Sequence, residues 1–267
     1  MTAINPARLK MQTAELGELI DQPDRFTAGL HELLSYYSAR IRQTRLSRTP
    51  LTLQTYQAPE PVILAIESEI AERLEWNPAA GYRLVDALWK EFWVEFRQLA
   101  VHILGILPIE EHDQILERIR GWLEDCTSES VRGLIMTEGL ARLTSEKPDQ
   151  SLSLIEELIS SGRKGNHQAA LFGLVSFGAN PSYPNLPLIF RYLSRILETE
   201  ENGLVKEISA LLRVLIVRSE QETTYFLAKQ IGSASEPRIF RVIRQVMNEL
   251  SKANQDLLRE KMVNLKS

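Results

Sequence analysis

The chain has 267 residues, 44% of them hydrophobic and 25% charged, with a formal net charge of -4. That is ordinary globular material, enough for one large domain or one extended array. Its longest apolar runs, such as Leu99 to Leu107 with His102 inside, are too short to span a membrane, and its single cysteine, Cys126, excludes an internal disulfide.

The first ten residues, Met1 to Lys10, lack a basic segment followed by an apolar core, so no secretory signal is expected. Together with the lone cysteine this sets the expectation of a cytoplasmic protein. Leu30, Leu33, Leu34, Tyr37 and Ile41 then recur at helical spacing. Residues 1–50 therefore read as an N-terminal helical pair, packed on an array that occupies 51–267. Arg42, Arg45 and Arg48 recur every third residue and would form a basic edge if the helix continues that far. Leu51 to Gln57 is strand-like, but a lone short strand has no partner, so it reads as a linker.

Beyond it, apolar stripes follow one another. Phe92, Phe96, Leu99, Ala100, Ile103, Leu104 and Leu107 form one, Leu204, Ile208, Leu211, Leu212 and Leu215 another, and Ile239, Val242, Ile243, Val246, Met247 and Leu250 a third. Each stripe covers one side of its helix and must be buried on a neighbour. Breakers such as Asn77-Pro78, Lys147-Pro148, Ser161-Gly162 and Asn180-Pro181 separate them. Small residues mark the crossings at Ala100, at Gly139 and Ala141, at Ala169 and Ala170, and at Ser209 and Ala210. A repeat of roughly 35 to 40 residues with this content predicts an all-α superhelical array of antiparallel helix pairs, HEAT-like or ARM-type.

No strong catalytic motif stands out. His31, His102, His112 and His167 form no ligand pair at helical spacing, and Cys126 has no partner at zinc-finger spacing, so neither metal nor cofactor is expected. Trp89, Phe92 and Phe96 read as core, whereas Trp93 reads as the exposed aromatic of that group. Charge is segregated. No acid lies between Leu33 and Pro59 or between Leu158 and Leu197, and from Gly203 to the end there are eleven bases against seven acids. Such patches are either solvated faces or a footprint for a phosphate backbone. Arg163 and Lys164 precede a helix expected to begin near Asn166, a reasonable anion site. Arg241, Arg244 and Gln245, with Arg238 and Asn248, fall opposite the last apolar stripe.

Three segments carry a resemblance. Tyr56-Gln57-Ala58-Pro59-Glu60-Pro61 looks like the Tyr-x-x-Pro-x-Pro entry to the first long helix of the AlkD-like DNA alkylation repair proteins. Leu88-Trp89 followed by Glu95, Arg97, Ala100 and Leu104 is similar to a second helix of that family. Ile243 to Asn254 resembles its closing segment. The resemblance implies a curved helical-repeat fold that binds DNA on a basic concave face. In active members it also implies removal of positively charged alkylated purines with stacking aromatics, an Asp and a phosphate-holding Arg.

The corresponding positions differ here. The family's Trp-Asp-x-Val-Asp falls on Ser128-Glu129-Ser130-Val131-Arg132, its Arg on Gln168 and its late Trp on Gln245. A cation at 132 opposes the positive charge that develops as a glycosidic bond breaks. The expectation is a monomeric, non-catalytic or weakly active protein. It would bind duplex DNA without sequence preference through Arg45, Arg132, Arg163, Lys164, Gln168, Arg191, Arg241, Arg244 and Gln245. Two alternatives stand beside it: a scaffold holding a protein partner in its groove, and an alkylpurine glycosylase using Glu129.

Overall fold

The computed structural model describes residues 4–38, 53–74, 77–199, 203–233 and 237–264. Among them the fold is all-α, and the chain divides into two compact units, Met1–Leu143 and Thr144–Ser267.

The first unit contains α1 (Pro6–Gly17), α2 (Pro23–Ser38), α3 (Glu60–Leu74), α4 (Pro78–Lys90), α5 (Val94–Ile106), α6 (His112–Asp125) and α7 (Glu129–Leu134). A π-helical turn, Ile135–Gly139, continues α7, and α8 (Ala141–Glu146) spans the boundary. Helix starts follow local chemistry. Asn5 accepts the Arg8 N–H at 3.1 Å ahead of Pro6, and Ser128 accepts the Val131 N–H at 3.4 Å ahead of α7. One row stacks α1 on α3, α3 on α5 and α5 on the π turn, while α2 packs on α4. From Phe96 onward the predicted stripe is core: Phe96, Ala100 and Ile103 are fully buried, as is Val101 beside them. Each such aliphatic side chain contributes on the order of 2 kcal/mol.

Three expectations around the start of α5 are corrected. Phe92 is 69% exposed rather than core, because α5 begins only at Val94 and Phe92 lies off its helical register. The strand-like linker does find a partner there. Gln54 N–H donates to the Phe92 carbonyl at 2.9 Å and Val94 N–H to the Gln54 carbonyl at 2.8 Å, a single bridge. Trp93 is half-buried, stacked on Tyr56 with ring centroids 4.0 Å apart. Burial, reinforced by Glu95 and Glu91, raises the Tyr56 pKa.

The second unit contains α9 (Pro148–Ser160), α10 (Lys164–Ala179), α11 (Leu186–Thr199), α12 (Val205–Arg218), α13 (Glu220–Ser233), α14 (Pro237–Val246) and α15 (Lys252–Asn264). A 3-10 turn, Met247–Glu249, follows α14. Here α10, α12 and α14 stack as one row, with Ala169, Ala170 and Ser209 buried at the crossings. The second row is α9, α11, α13 and α15, in which α13 packs closely on α15 while α11 and α13 touch only lightly.

The repeat is written into the polar bonds. Asp86 receives both Nε and Nη2 of Arg118 at 2.8 Å, 32 residues on. Gln168 donates to Glu207, 39 residues on, and Gln230 to Ser194, 36 residues back. Glu156 accepts from Arg195, 39 residues on, and Glu220 from Asn254, 34 residues on. Each bond joins equivalent helices of successive pairs, so the sequence period is the spacing of one stacked layer.

Candidate nucleic-acid interface

In the second unit the first element is the turn between α9 and α10. Gly162 adopts φ +66°, the left-handed conformation that lets the chain leave α9 and start α10 two residues later. The helix begins at Lys164, earlier than expected, so Arg163 is its N-cap and Lys164 its first residue. Both side chains are exposed. The Ser161 hydroxyl accepts from Arg163 N–H at 3.3 Å and from the Asn166 amide at 2.9 Å, which fixes the turn. Backbone N–H groups at such a start favour an anion, and two cations add to it.

Lys164 reaches across to α12. Its Nζ and Cε lie against Gly203, just ahead of that helix. One turn further along α10, the Gln168 amide donates to Glu207 Oε1 at 2.6 Å. Glu207 is 7% exposed. Gln168 thus stands where the resemblance places a phosphate-holding Arg, and it ties two helices of the row together.

On α14, Arg241, Arg244 and Gln245 are exposed, while Ile239, Val242, Ile243 and Val246 are buried on the other side. The Gln245 carbonyl accepts from Arg213 Nη2 at 3.3 Å, and Arg213 Nε bonds Glu249 at 3.2 Å. Arg191 is not part of this row. It lies on α11, its guanidinium 5.7 Å from the Tyr192 ring centroid, beside the space between α11 and α13.

The remaining candidates belong to the first unit. Glu129 is exposed at the first position of α7. Arg132 is half-buried and turns back on its own loop, with Nη2 donating to the Cys126 carbonyl. The Cys126 thiol donates to the Ser128 carbonyl at 3.2 Å. Burial raises its pKa, against the opposing pull of the Ser128 hydrogen bond and of Arg132 and Arg97. Arg97 is a buried cation stacked over Trp89 at 4.4 Å, with Trp89 stacked in turn on Trp122 at 4.3 Å. Burial lowers the Arg97 pKa. Arg45 lies outside the described residues.

Glu207 was not singled out from the sequence, and Gly203 was read only as part of a helix-breaking turn. The signal was present in the period, since Gln168 and Glu207 are one repeat apart. Two of the four histidines have close polar partners: buried His167 Nε2 lies 2.9 Å from the Ile159 carbonyl, and His31 Nδ1 2.7 Å from the Tyr56 hydroxyl. Among the described residues, no helix is long and apolar enough to cross a membrane.

A family model described as DNA alkylation repair enzyme matches residues 58–259, well over half of the chain. No curated protein and no solved structure matches it.

Proposed function

The chain belongs to the DNA alkylation repair enzyme family, and from that premise we propose that it binds duplex DNA through the phosphate backbone without excising bases. The observation that carries this reading is the exposed cation set of the second unit: Arg163 and Lys164 at the start of α10, with Arg241 and Arg244 on α14. Phosphate contacts from Lys and Arg fix position on the duplex and carry no base information. A helix start adds its N–H groups to the same task.

Base excision needs a carboxylate, or another group of negative charge, facing the oxocarbenium-like centre. At the matching loop this chain supplies Arg132, bonded to the Cys126 carbonyl, and an exposed Glu129. The first has the wrong sign. The second has none of the burial that would strengthen its interaction with a developing charge.

Two measurements test the proposal. Fluorescent duplex is titrated against the wild type and against Lys164→Glu/Arg244→Glu across a range of salt, and release of N7- or N3-alkylated purines is followed in parallel. Expected are salt-sensitive binding that the double variant loses, and release at the uncatalysed rate. Absence of binding at low salt would overturn the DNA reading. Release above background that Glu129→Gln abolishes would overturn the non-catalytic one.

A further inference from the structure

The space between α11 and α13 is a groove of about 630 Å³, within the range of sites that take small organic molecules. These two helices touch more lightly than α13 and α15 do, and the groove lies between them. Its floor is the stacked pair Phe190 and Phe226, ring centroids 4.9 Å apart. Pro187 and Tyr225 extend the apolar lining, and Tyr225 is 74% exposed, so its ring is open to a ligand.

The helices run in the same direction across the groove. Phe190 faces Phe226, and Ser194 faces Gln230, whose amide it accepts at 2.8 Å; both pairs are 36 residues apart. That register orders the charges along the groove. Glu222 lies at the end where both helices begin, while Arg191 and Lys229 lie toward the other end. At 1.5 Å per helical residue, roughly 8–10 Å separates the acid from the two cations along the axis. The groove therefore offers an aromatic bed with a cationic end. The Arg191 guanidinium lies 5.7 Å from the Tyr192 ring centroid.

We propose that the α11/α13 groove binds a small amphiphilic organic anion, its aryl or alkyl body on Phe190, Phe226 and Tyr225 and its acidic head at Arg191 and Lys229. Dispersion and burial hold the body, and a charge-assisted bond orients the head. Arg191, expected from the sequence to meet DNA, belongs to this groove on α11, while Arg163, Lys164, Arg241 and Arg244, which carry the duplex proposal, do not line it.

The probe is 8-anilinonaphthalene-1-sulfonate, an aryl body with one sulfonate, followed by fluorescence on the full chain. Expected is saturable binding of one molecule per chain, displaced by decanoate and not by the same concentration of decanol. Arg191→Glu and Tyr225→Ala each weaken it by about tenfold or more, the loss of one charged or one aromatic contact. Arg244→Glu leaves it unchanged while weakening duplex binding, and Tyr225→Ala leaves duplex binding unchanged. All three altered residues are exposed, so the fold survives the substitutions. Non-saturable binding, equal affinity in Arg191→Glu and Tyr225→Ala, or equal displacement by decanol would overturn the proposal. A wild-type dimer in sedimentation that Tyr225→Ala dissociates would overturn it too, by assigning the groove to a second copy.

Discussion

Arg132 carries a positive charge into the entry of α7 and places it on the Cys126 carbonyl. A guanidinium satisfying a backbone acceptor at a helix entry supports the loop rather than facing a substrate. Removing it leaves that carbonyl without its donor and should destabilise the protein by about 1 kcal/mol, the scale of a partly exposed charge-assisted hydrogen bond. Urea denaturation of Arg132→Met measures this, and an unchanged midpoint would refute the structural role. Glu220 offers a pH-dependent counterpart. Its Oε1 accepts the Ser251 N–H at 2.6 Å and the Asn254 amide at 2.7 Å, and these bonds lower its pKa below the ordinary carboxylate value. A lowered folded pKa means that the unfolded chain takes up the proton first as pH falls. The stabilisation is thus complete above the ordinary carboxylate pKa and disappears as pH drops through the lowered folded value. Glu220→Gln should therefore be less stable than wild type at neutral pH, with the difference closing in acid. A gap that stays constant from pH 7 to the acid limb would contradict this.

At the scale of the element, glycines separate tight packing from open surface. Gly105, near the end of α5, faces the Glu138 carbonyl of the π turn so closely that an added Cβ would overlap it, and backbone on that side cannot swing away. Gly105→Ala should cost about 1–3 kcal/mol through overpacking. Gly121 lies inside α6 with nothing within 4 Å of an added Cβ. Gly121→Ala should stabilise by about 0.5–1 kcal/mol by removing backbone freedom from the unfolded chain. Thermal melts of the two variants should shift in opposite directions; a shared direction would mean that α5 and the π turn are not held as described. The same contrast shows what the sequence revealed. Apolar period and breakers located the helices because burial on one side is a local demand, met at Phe96, Ala100 and Ile103 alike. Phe92 misled because its place in the stripe was real, but helix α5 starts two residues later, where the Gln54 bridge holds the link extended. Likewise Ala141, grouped with the small crossing residues, is exposed, since the π turn ahead of it shifts the helical register. The Gln168–Glu207 bond and the α11/α13 groove join residues a full repeat apart. Stripe-by-stripe inspection does not pair such residues; aligning the chain with itself at the repeat length would have placed Gln168 opposite Glu207.

For the molecule as a whole, the net charge of -4 would suggest repulsion from DNA. Screening decides otherwise. At physiological ionic strength a surface charge acts over about 8 Å, so a phosphate meets the nearest side chains and not the average of the chain. On the reading proposed above, those are Arg163, Lys164, Arg241 and Arg244, all exposed. Each phosphate neutralised releases condensed counterions and adds about -0.9 to the slope of log K against log salt. Four such contacts set an upper bound near -4, and a slope between about -2 and -4 is expected for the wild type. Lys164→Gln/Arg244→Gln should flatten that slope by about 2, because each lost phosphate contact removes about one unit. Both side chains are exposed, so folding stability should change by no more than about 0.5 kcal/mol per site. The slope is the decisive quantity because it counts ion pairs independently of absolute affinity. A double variant that binds more weakly at an unchanged slope would have lost shape or stability instead of phosphate contacts. That result would move the interface away from α10 and α14.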